Sequence, residues 1–422
     1  MSNEVPHGLR SYALVTLGYW GFTITDGALR MLVVLYFHLL GYSPLAVAVL
    51  FLFYEFFGIV TNLVGGWLGS RIGLSLTMLI GMALQVLALG LLLAPDSWLS
   101  VAYVMFAQAL SGIAKDLNKM AAKASIKVLL PSGASGSRLF RWVAVLTGSK
   151  NALKGLGFFV GAGLLQWLEF RGAIAVLAGG LLLVLGLTAA LLPGGLGKTG
   201  GRPAFRQIFA SSAAVNRLAA ARFFLFGARD IWFVVALPVY LTTQLDWPPM
   251  TVGAFMALWI IGYGVVQASA PRLLRQSEPG KGPTAVMAMR WVGLLAIIPA
   301  LLAMALALDL EAGGGASSTT ITTTITTTIL VVGLMVFGGI FAINSAVHSY
   351  LIVAWSSHER VAMNVGFYYM ANAGGRLTGT VLSGLIYQLQ GLQGCLWGSA
   401  IMLLAATLLS VKLAPPSQAI SV

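Results

Sequence analysis

Long apolar stretches alternate with short polar breaks along almost the whole chain. Runs long enough to cross the roughly 30 Å hydrocarbon core of a bilayer as helix fall at about 12–38, 44–69, 73–94, 97–120, 140–167 and 172–192. A Gly/Pro-rich basic stretch from Pro193 to about Asn216 interrupts the series, and six more runs follow at about 217–243, 249–271, 284–308, 322–354, 361–388 and 392–413. The pattern predicts an all-α integral membrane protein with 12 transmembrane helices. Its expected divisions are a six-helix bundle over 1–192, a cytoplasmic linker over 193–216 and a second six-helix bundle over 217–422. The run Thr319 to Thr328, broken only by Ile321 and Ile325 and preceded by Gly313–Gly315, predicts a mobile outer loop leading into the tenth helix.

Composition agrees with this and excludes other classes. The chain is 58% hydrophobic and 9% charged, against about 25% charged for a soluble domain. Its net charge of +13 does not point to nucleic acid, because no separate polar basic domain carries it. Cys395 stands alone, so no internal disulfide can form. No small-residue cleavage site follows a short apolar stretch, so the first helix is expected to be retained. Lys and Arg concentrate in one set of breaks: Arg71, Lys127, Arg138, Arg141, Lys198, Arg202, Arg206, Arg217, Arg272, Arg275, Lys281, Arg360 and Lys412. The opposite set holds Asp96, Glu169, Asp246, Asp309 and Glu311, with Arg171 its one base. The positive-inside bias therefore predicts that both termini are cytoplasmic.

Charged residues also stand where hydrocarbon is expected: Asp26 and Arg30 in the first run, Lys115 and Lys119 in the fourth, Lys150 and Lys154 in the fifth, Arg222 and Arg229 in the seventh, Arg376 in the eleventh. A basic side chain at the bilayer centre costs about 2.5–3.5 kcal/mol on insertion scales. Such residues must be paired, hydrated or awaiting an anion. Asp26 and Arg30 are four apart, acid before base, which predicts an ion pair on one helix face. Tyr19 and Thr23 lengthen that stripe beyond what one pair needs.

Lys115, Lys119 and Lys123 repeat every four residues, with Gln108 and Ser111 on the same face and Asp116 in reach of Lys119. Lys123, at the cytoplasmic end, reads as a lysine that snorkels to the interface. Lys150 and Lys154 lie one turn apart, near Thr147 and Asn151, and no acid occurs between Asp116 and Glu169. They either pair with Glu55 or Asp26 across the bundle or wait for an anion. In the seventh helix Arg222, Arg229 and Asp230 share a broad face, and the sequential Arg229 and Asp230 need not pair. Tyr369, Asn372 and Arg376 form a polar stripe in the eleventh. Arg290 reads as an interface anchor, and His348 with Asn344 as a satisfied buried pair.

Interior bases outnumber the interior acids Asp26, Glu55, Asp116 and Asp230, so the predicted cargo is a small, multiply charged anion. Guanidinium forks match carboxylate and phosphate-like groups, and lysine adds compact charge. Glu55 sits among Phe51, Phe53, Tyr54, Phe56 and Phe57. That apolar setting favours a neutral carboxyl suited to proton coupling; pairing with a lysine of the fifth helix is the alternative.

The segment Gly66-Trp67-Leu68-Gly69-Ser70-Arg71-Ile72-Gly73 resembles the loop between helices two and three of the major facilitator superfamily. Ser70 replaces its acidic residue and Leu74 its final base, which leaves Gly66, Gly69, Arg71 and Gly73 as a conformational loop without the usual charge relay. Four longer stretches, Tyr19 to Val34, Leu50 to Gly58, Gln108 to Met120 and Leu146 to Gly155, resemble organoarsenical efflux permeases of the ArsJ type. The resemblance implies secondary active export of 1-arseno-3-phosphoglycerate from a bacterium through its inner membrane, conferring arsenate resistance. It also implies a functional partnership with the glyceraldehyde-3-phosphate dehydrogenase that makes this ester.

An organophosphate/phosphate exchanger of the same fold is the nearest competing expectation. A cationic multidrug exporter has the wrong cavity sign. No His-Glu-x-x-His, Gly-x-Ser-x-Gly or Cys/His cluster occurs, so neither an enzyme nor a cofactor or metal site is expected.

Overall fold

The computed structural model describes residues 4–41, 50–130, 134–198, 212–274, 282–312 and 319–413. Most of the expected linker, including Arg202 and Arg206, lies outside the described residues, as do Arg275, Lys281 and Gly313–Gly315. The chain is all helical: α1 (Glu4–Leu39), α2 (Leu52–Ile72), α3 (Leu74–Leu91), α4 (Val101–Leu129), α5 (Gly136–Leu191), α6 (Ala213–Phe233), α7 (Ala236–Thr243), α8 (Pro249–Leu273), α9 (Ala285–Ala312), α10 (Thr319–Ala354) and α11 (Val361–Val411), with a 3₁₀ turn at Asp96–Trp98. By length and composition, 7 helical stretches among the described residues could cross a membrane. Helices α1, α2 and α4, which carry much of the interior charge, fall outside that set.

The two longest helices double back. Helix α5 breaks at Glu169 (φ 56°) and α11 at Gly391 (φ 62°), a left-handed backbone that glycine adopts without strain. Contacts along α1 establish the reversal in α5. Tyr12 stacks on Trp142 and Trp20 donates to Ser149, while Gly27 abuts Gly157, so the first arm runs parallel to α1. Tyr36 stacks on Phe170, Gly21 abuts Val184 and Gly18 abuts Thr188, so the second arm runs back. The same holds for α6 and α11: Gly375 meets Phe223 and Gly379 meets Gly227, then Gly398 meets Ile231 and Arg217 donates to the Lys412 carbonyl.

Between α6 and α7 the break follows from Pro238, which cannot donate to the Val234 carbonyl; the buried amide of Ala236, at the start of α7, donates to Ser383 Oγ at 3.1 Å. The threonine run is not a loop. Thr319 opens α10, and the run is its first turns.

Two expectations about the segment 66–73 change. Gly66, Gly69 and Arg71 lie within α2, and Gly73 (φ 97°) alone makes the link to α3. Arg71 is exposed, with its guanidinium 5.0 Å from the Trp67 ring centre. Gly66 serves helix packing instead: a Cβ there would stand 2.7 Å from the Ala362 carbonyl oxygen and 3.0 Å from Gly366 Cα in α11. Gly148 of α5 meets the backbone of α8 at Gly264 and Ala268 in the same way.

These two close crossings join α1–α5 to α6–α11 at one end of the molecule. That end carries Arg71, Lys127, Arg138 and Arg272; the other carries Asp96, Glu169 and Asp246. At the basic end Phe140 packs edge-on against Tyr350 and Lys127 donates to the Ala354 carbonyl at 3.4 Å. One apolar core runs without interruption from Val15 and Leu146 of the first set into Ala346, Leu351 and Val365 of the second. The other core, from Leu225 to Ala406, stays within the second set. The sets are therefore sealed together at the basic end.

Widening the α2–α11 crossing should undo that seal. Gly66→Val overpacks it, at a cost of about 1–3 kcal/mol. In a Cys395→Ser background, a cysteine at Phe140 should then react faster with an aqueous thiol reagent, by about tenfold for each 1.4 kcal/mol.

Candidate functional site: a shared ion-pair network

The interior charges converge on Glu55, one turn into α2. Arg30 Nη2 donates to Glu55 Oε1 at 3.0 Å, Arg376 Nη2 donates to the same oxygen at 3.3 Å, and Lys115 Nζ lies 3.8 Å from Oε2. One carboxylate therefore gathers cations from α1, α4 and α11. Arg376 is shared in turn, its Nε donating to Asp230 Oδ2 at 3.1 Å; Asp230 also accepts from Arg229 Nε at 2.5 Å. Asp116 accepts from Lys119 and stands 3.9 Å from Lys115 Nζ. Aromatic faces support the cations: Arg30 lies 4.8 Å from the Tyr54 ring centre and 5.1 Å from that of Phe51, and Lys115 Nζ 3.7 Å from Tyr54.

Several expected pairings are replaced. Asp26 does not pair with Arg30; it accepts from Tyr54 Oη at 2.6 Å, and Arg30 turns to Glu55. The apolar setting expected for Glu55 is absent, because Phe53 and Phe56 point outward and are exposed while the carboxylate points inward among three bases. Nor does Glu55 pair with a lysine of α5. Arg229 and Asp230, adjacent in sequence, do bind each other, and Arg229 lies against Phe226, Phe233 and Phe341. Lys123 does not snorkel: it is 1% exposed. Asn344 and His348 are buried, but neither their amide nor their ring atoms find a partner among the described residues, so they are not a satisfied pair. Arg290 is exposed on α9, where an interface anchor would stand.

A second network of mostly neutral groups lies beside the first. Arg222, 3% exposed, donates to Asn372 Oδ1 at 2.9 Å and to Ser345 Oγ at 3.0 Å, and its guanidinium lies 3.9 Å from the Phe226 ring centre. Ser345 Oγ also meets Tyr263 Oη and Gln267 Nε2, at 3.0 and 3.1 Å. Gln267 Oε1 accepts from Asn151 Nδ2 at 2.7 Å, which ties α8 to α5. Sequence reading omitted Tyr54, Tyr263, Gln267 and Ser345. The signal for two of them was present, since Tyr263 and Gln267 sit four apart in the otherwise apolar eighth run.

Lys150 and Lys154 are the exception to this pairing. Both are half-buried on the first arm of α5, and neither makes an ion pair or hydrogen bond among the described residues. The charged groups that bear most on Lys150 are Lys119, Arg376, Lys115 and Asp26; those on Lys154 are Arg30, Asp26, Lys115 and Arg376, and Glu55 also acts on Lys154. The acids that reach them are engaged elsewhere, Asp26 by Tyr54 and Glu55 by Arg30, Lys115 and Arg376. Side-chain exposure is 26% at Arg30, 30% at Glu55 and 31% at Arg376. The charged centre is thus partly open, while the basic end is sealed by apolar packing.

A sequence profile of the Major Facilitator Superfamily matches residues 15–329, more than half of the chain. The chain belongs to the major facilitator superfamily. It is accordingly a multi-pass membrane transporter of the secondary type and not an enzyme. Solved members of the superfamily share its fold over nearly the full length. The chain is similar to a bacterial homologue of the iron transporter ferroportin in an outward-facing state (16% identity, TM-score 0.72, covering 96% of this chain and 99% of that one). It is similar to the human organic anion transporter MFSD10 (17%, 0.73, 96% and 99%), and to the E. coli fucose:proton symporter (11%, 0.71, 97% and 99%). No curated protein matches the sequence.

Glu55 and Arg376 belong to different halves of this network and share one contact. A double-mutant cycle with Glu55→Gln and Arg376→Gln should return a coupling of about 0.5–3 kcal/mol, the range for residues in one ion-pair network. Thermal unfolding in detergent reads it; strictly additive losses would mean the contact does not couple the halves.

Proposed function

We propose that this transporter exports a small organic anion with a negative group at each end, and that 1-arseno-3-phosphoglycerate is its physiological cargo. The observation that carries the anion is the pair Lys150 and Lys154, two bases in the charged centre that make no ion pair or hydrogen bond among the described residues. Around them Arg30, Lys115 and Lys119 face Arg229 and Arg376 from the opposite half, so each end of the cargo has bases to meet. Asn151, Tyr369, Asn372 and Arg222 supply neutral hydrogen bonds and further charge at the floor of the site. Glu55 and Asp230 hold Arg30, Lys115 and Arg376 until the cargo's oxyanions replace them, with Asp26 and Asp116 balancing the remainder.

The arseno ester itself rests on the resemblance of the first five helices to ArsJ-type permeases. In the same reading each arm of α5 and of α11 is a separate crossing and α6 with α7 forms one. The chain then crosses 12 times in two six-helix halves, with the basic end and both termini in the cytoplasm. Rocking of the halves about the midplane site would alternate access.

Cells lacking other arsenate defences should gain tolerance only when the permease is expressed with a glyceraldehyde-3-phosphate dehydrogenase; expulsion of free arsenate by the permease alone would overturn the cargo. Arg30→Ala, Lys150→Ala and Lys154→Ala should each return tolerance to the level of cells without the gene at equal membrane abundance. In everted vesicles, uptake that collapses with an uncoupler indicates proton drive. Uptake that persists and requires internal phosphate would identify an organophosphate/phosphate exchanger instead.

A further inference from the structure

Lysines recur four apart along the whole inner length of α4: Lys115, Lys119, Lys123 and Lys127. Residues so spaced are neighbours on a helix, roughly 5–6 Å apart at Cβ, so the four make a ladder from the charged centre to the basic end. Its rungs differ in what they hold. Lys115 and Lys119 share Asp116, and Lys127 donates to the Ala354 carbonyl at 3.4 Å. Lys123 is the anomaly, since it is 1% exposed and, among the described residues, pairs with no carboxylate and makes one hydrogen bond, to the neutral Tyr369 Oη at 3.1 Å. The charged groups that bear on it are Arg222, Lys150 and Lys119, all basic. An ammonium buried among like charges with only a phenol for company is costly, and the neighbouring polar groups provide nothing that offsets it.

Tyr369 also bridges two rungs of the ladder. Its ring centre lies 4.4 Å from Lys119 Nζ and 5.3 Å from Lys123 Nζ, and its hydroxyl accepts from Lys123, so one side chain of α11 touches two successive rungs. Tyr369 belongs to α11 and Ala354 to α10, both in the half that must move away from α4 if the basic end is to open. One displacement would therefore strip Lys123 of its cover and Lys127 of its acceptor together.

We propose that Lys123 is a second anion-binding station, reached from the basic end when the halves part there, and that Tyr369 covers it in the conformation seen here. It takes a phosphate- or carboxylate-type oxyanion of the cargo and passes it to Lys119 and Lys115 as Tyr369 closes behind. This rests on the anion-exporter reading above and adds to it a station on the cytoplasmic path.

The test uses 3-phosphoglycerate as a stable probe, with transport measured from each face in right-side-out and everted vesicles. Lys123→Met should raise the half-saturating concentration at the basic face about tenfold or more, the worth of one charge-assisted hydrogen bond. At the acidic face it should stay within about twofold. Lys123→Arg, which keeps the charge, should stay near wild type at both faces. Should Lys123→Met not reach the membrane, Lys123→Gln, which retains an N–H toward Tyr369, carries the same expectation. Unchanged half-saturation at the basic face, or an equal rise at both faces, overturns the station while leaving the exporter intact. Failure of the wild-type protein to move 3-phosphoglycerate from either face, with Lys150→Ala indistinguishable from it, removes the exporter reading and the station with it.

Discussion

The Glu55 carboxylate is the contact on which the rest of the charged centre depends. Arg30, Lys115 and Arg376 all converge on it, from three helices in addition to its own, and Arg376 extends the chain of charge to Asp230 and Arg229. Three cations gathered within 4 Å of each other's shared acceptor would repel strongly in a medium of low dielectric. One shared anion makes the gathering tolerable, and because Arg376 lies in the other half it also joins the halves at mid-depth. The arrangement is stable without being saturated. Three bases on one carboxylate leave donors that a further oxyanion can use, and neither Lys150 nor Lys154 makes an ion pair among the described residues.

The closed end rests on a different principle. Where α2 meets α11 and α5 meets α8, glycines let backbones touch, and an apolar core passes from one half to the other. Small residues at helix crossings are how membrane helices pack tightly when lipid is as apolar as a side chain. Nothing in those crossings is charged, so separating them exposes backbone and small apolar surface but requires no ion pair to break. The ionic contact at Glu55 and Arg376, further toward the acidic side, is the one that the proposed anionic cargo would engage. Two kinds of contact thus join the halves: apolar packing at the basic end and shared charge at Glu55 and Arg376.

Much of the architecture could be read in the chain before any coordinate. Most segment ends agree to a few residues, but α1 begins at Glu4, α2 at Leu52 and α4 runs on to Leu129, away from the expected 12, 44 and 120. The breaks between the fifth and sixth and between the eleventh and twelfth runs fall at Glu169 and Gly391, where the two long helices turn. Local rules did less well where they addressed partners. Spacing placed Asp26 and Arg30 on one face, yet each found a better partner on α2. The phenylalanines around Glu55 suggested an apolar site, because a linear neighbourhood does not tell which residues of a helix face lipid. Lys123 looked like an interface lysine, since its depth depends on α11 lying across it. The threonine run read as a loop from its composition, although helix propensity is a weak prior that context overrides.

What the sequence determined by itself was the set of helices, the asymmetry of charge between the two ends, and the excess of base inside. These follow from hydropathy, loop composition and the cost of burying charge, all of which are properties of residues near one another in the chain. Only the tertiary structure decided which base meets which acid, that one carboxylate is shared by both halves, and that Lys150, Lys154 and Lys123 pair with none among the described residues. Those outcomes depend on contacts between residues up to hundreds of positions apart. An ion pair is set by the few ångströms between side chains on different helices, and a single helix carries no record of what is packed against it.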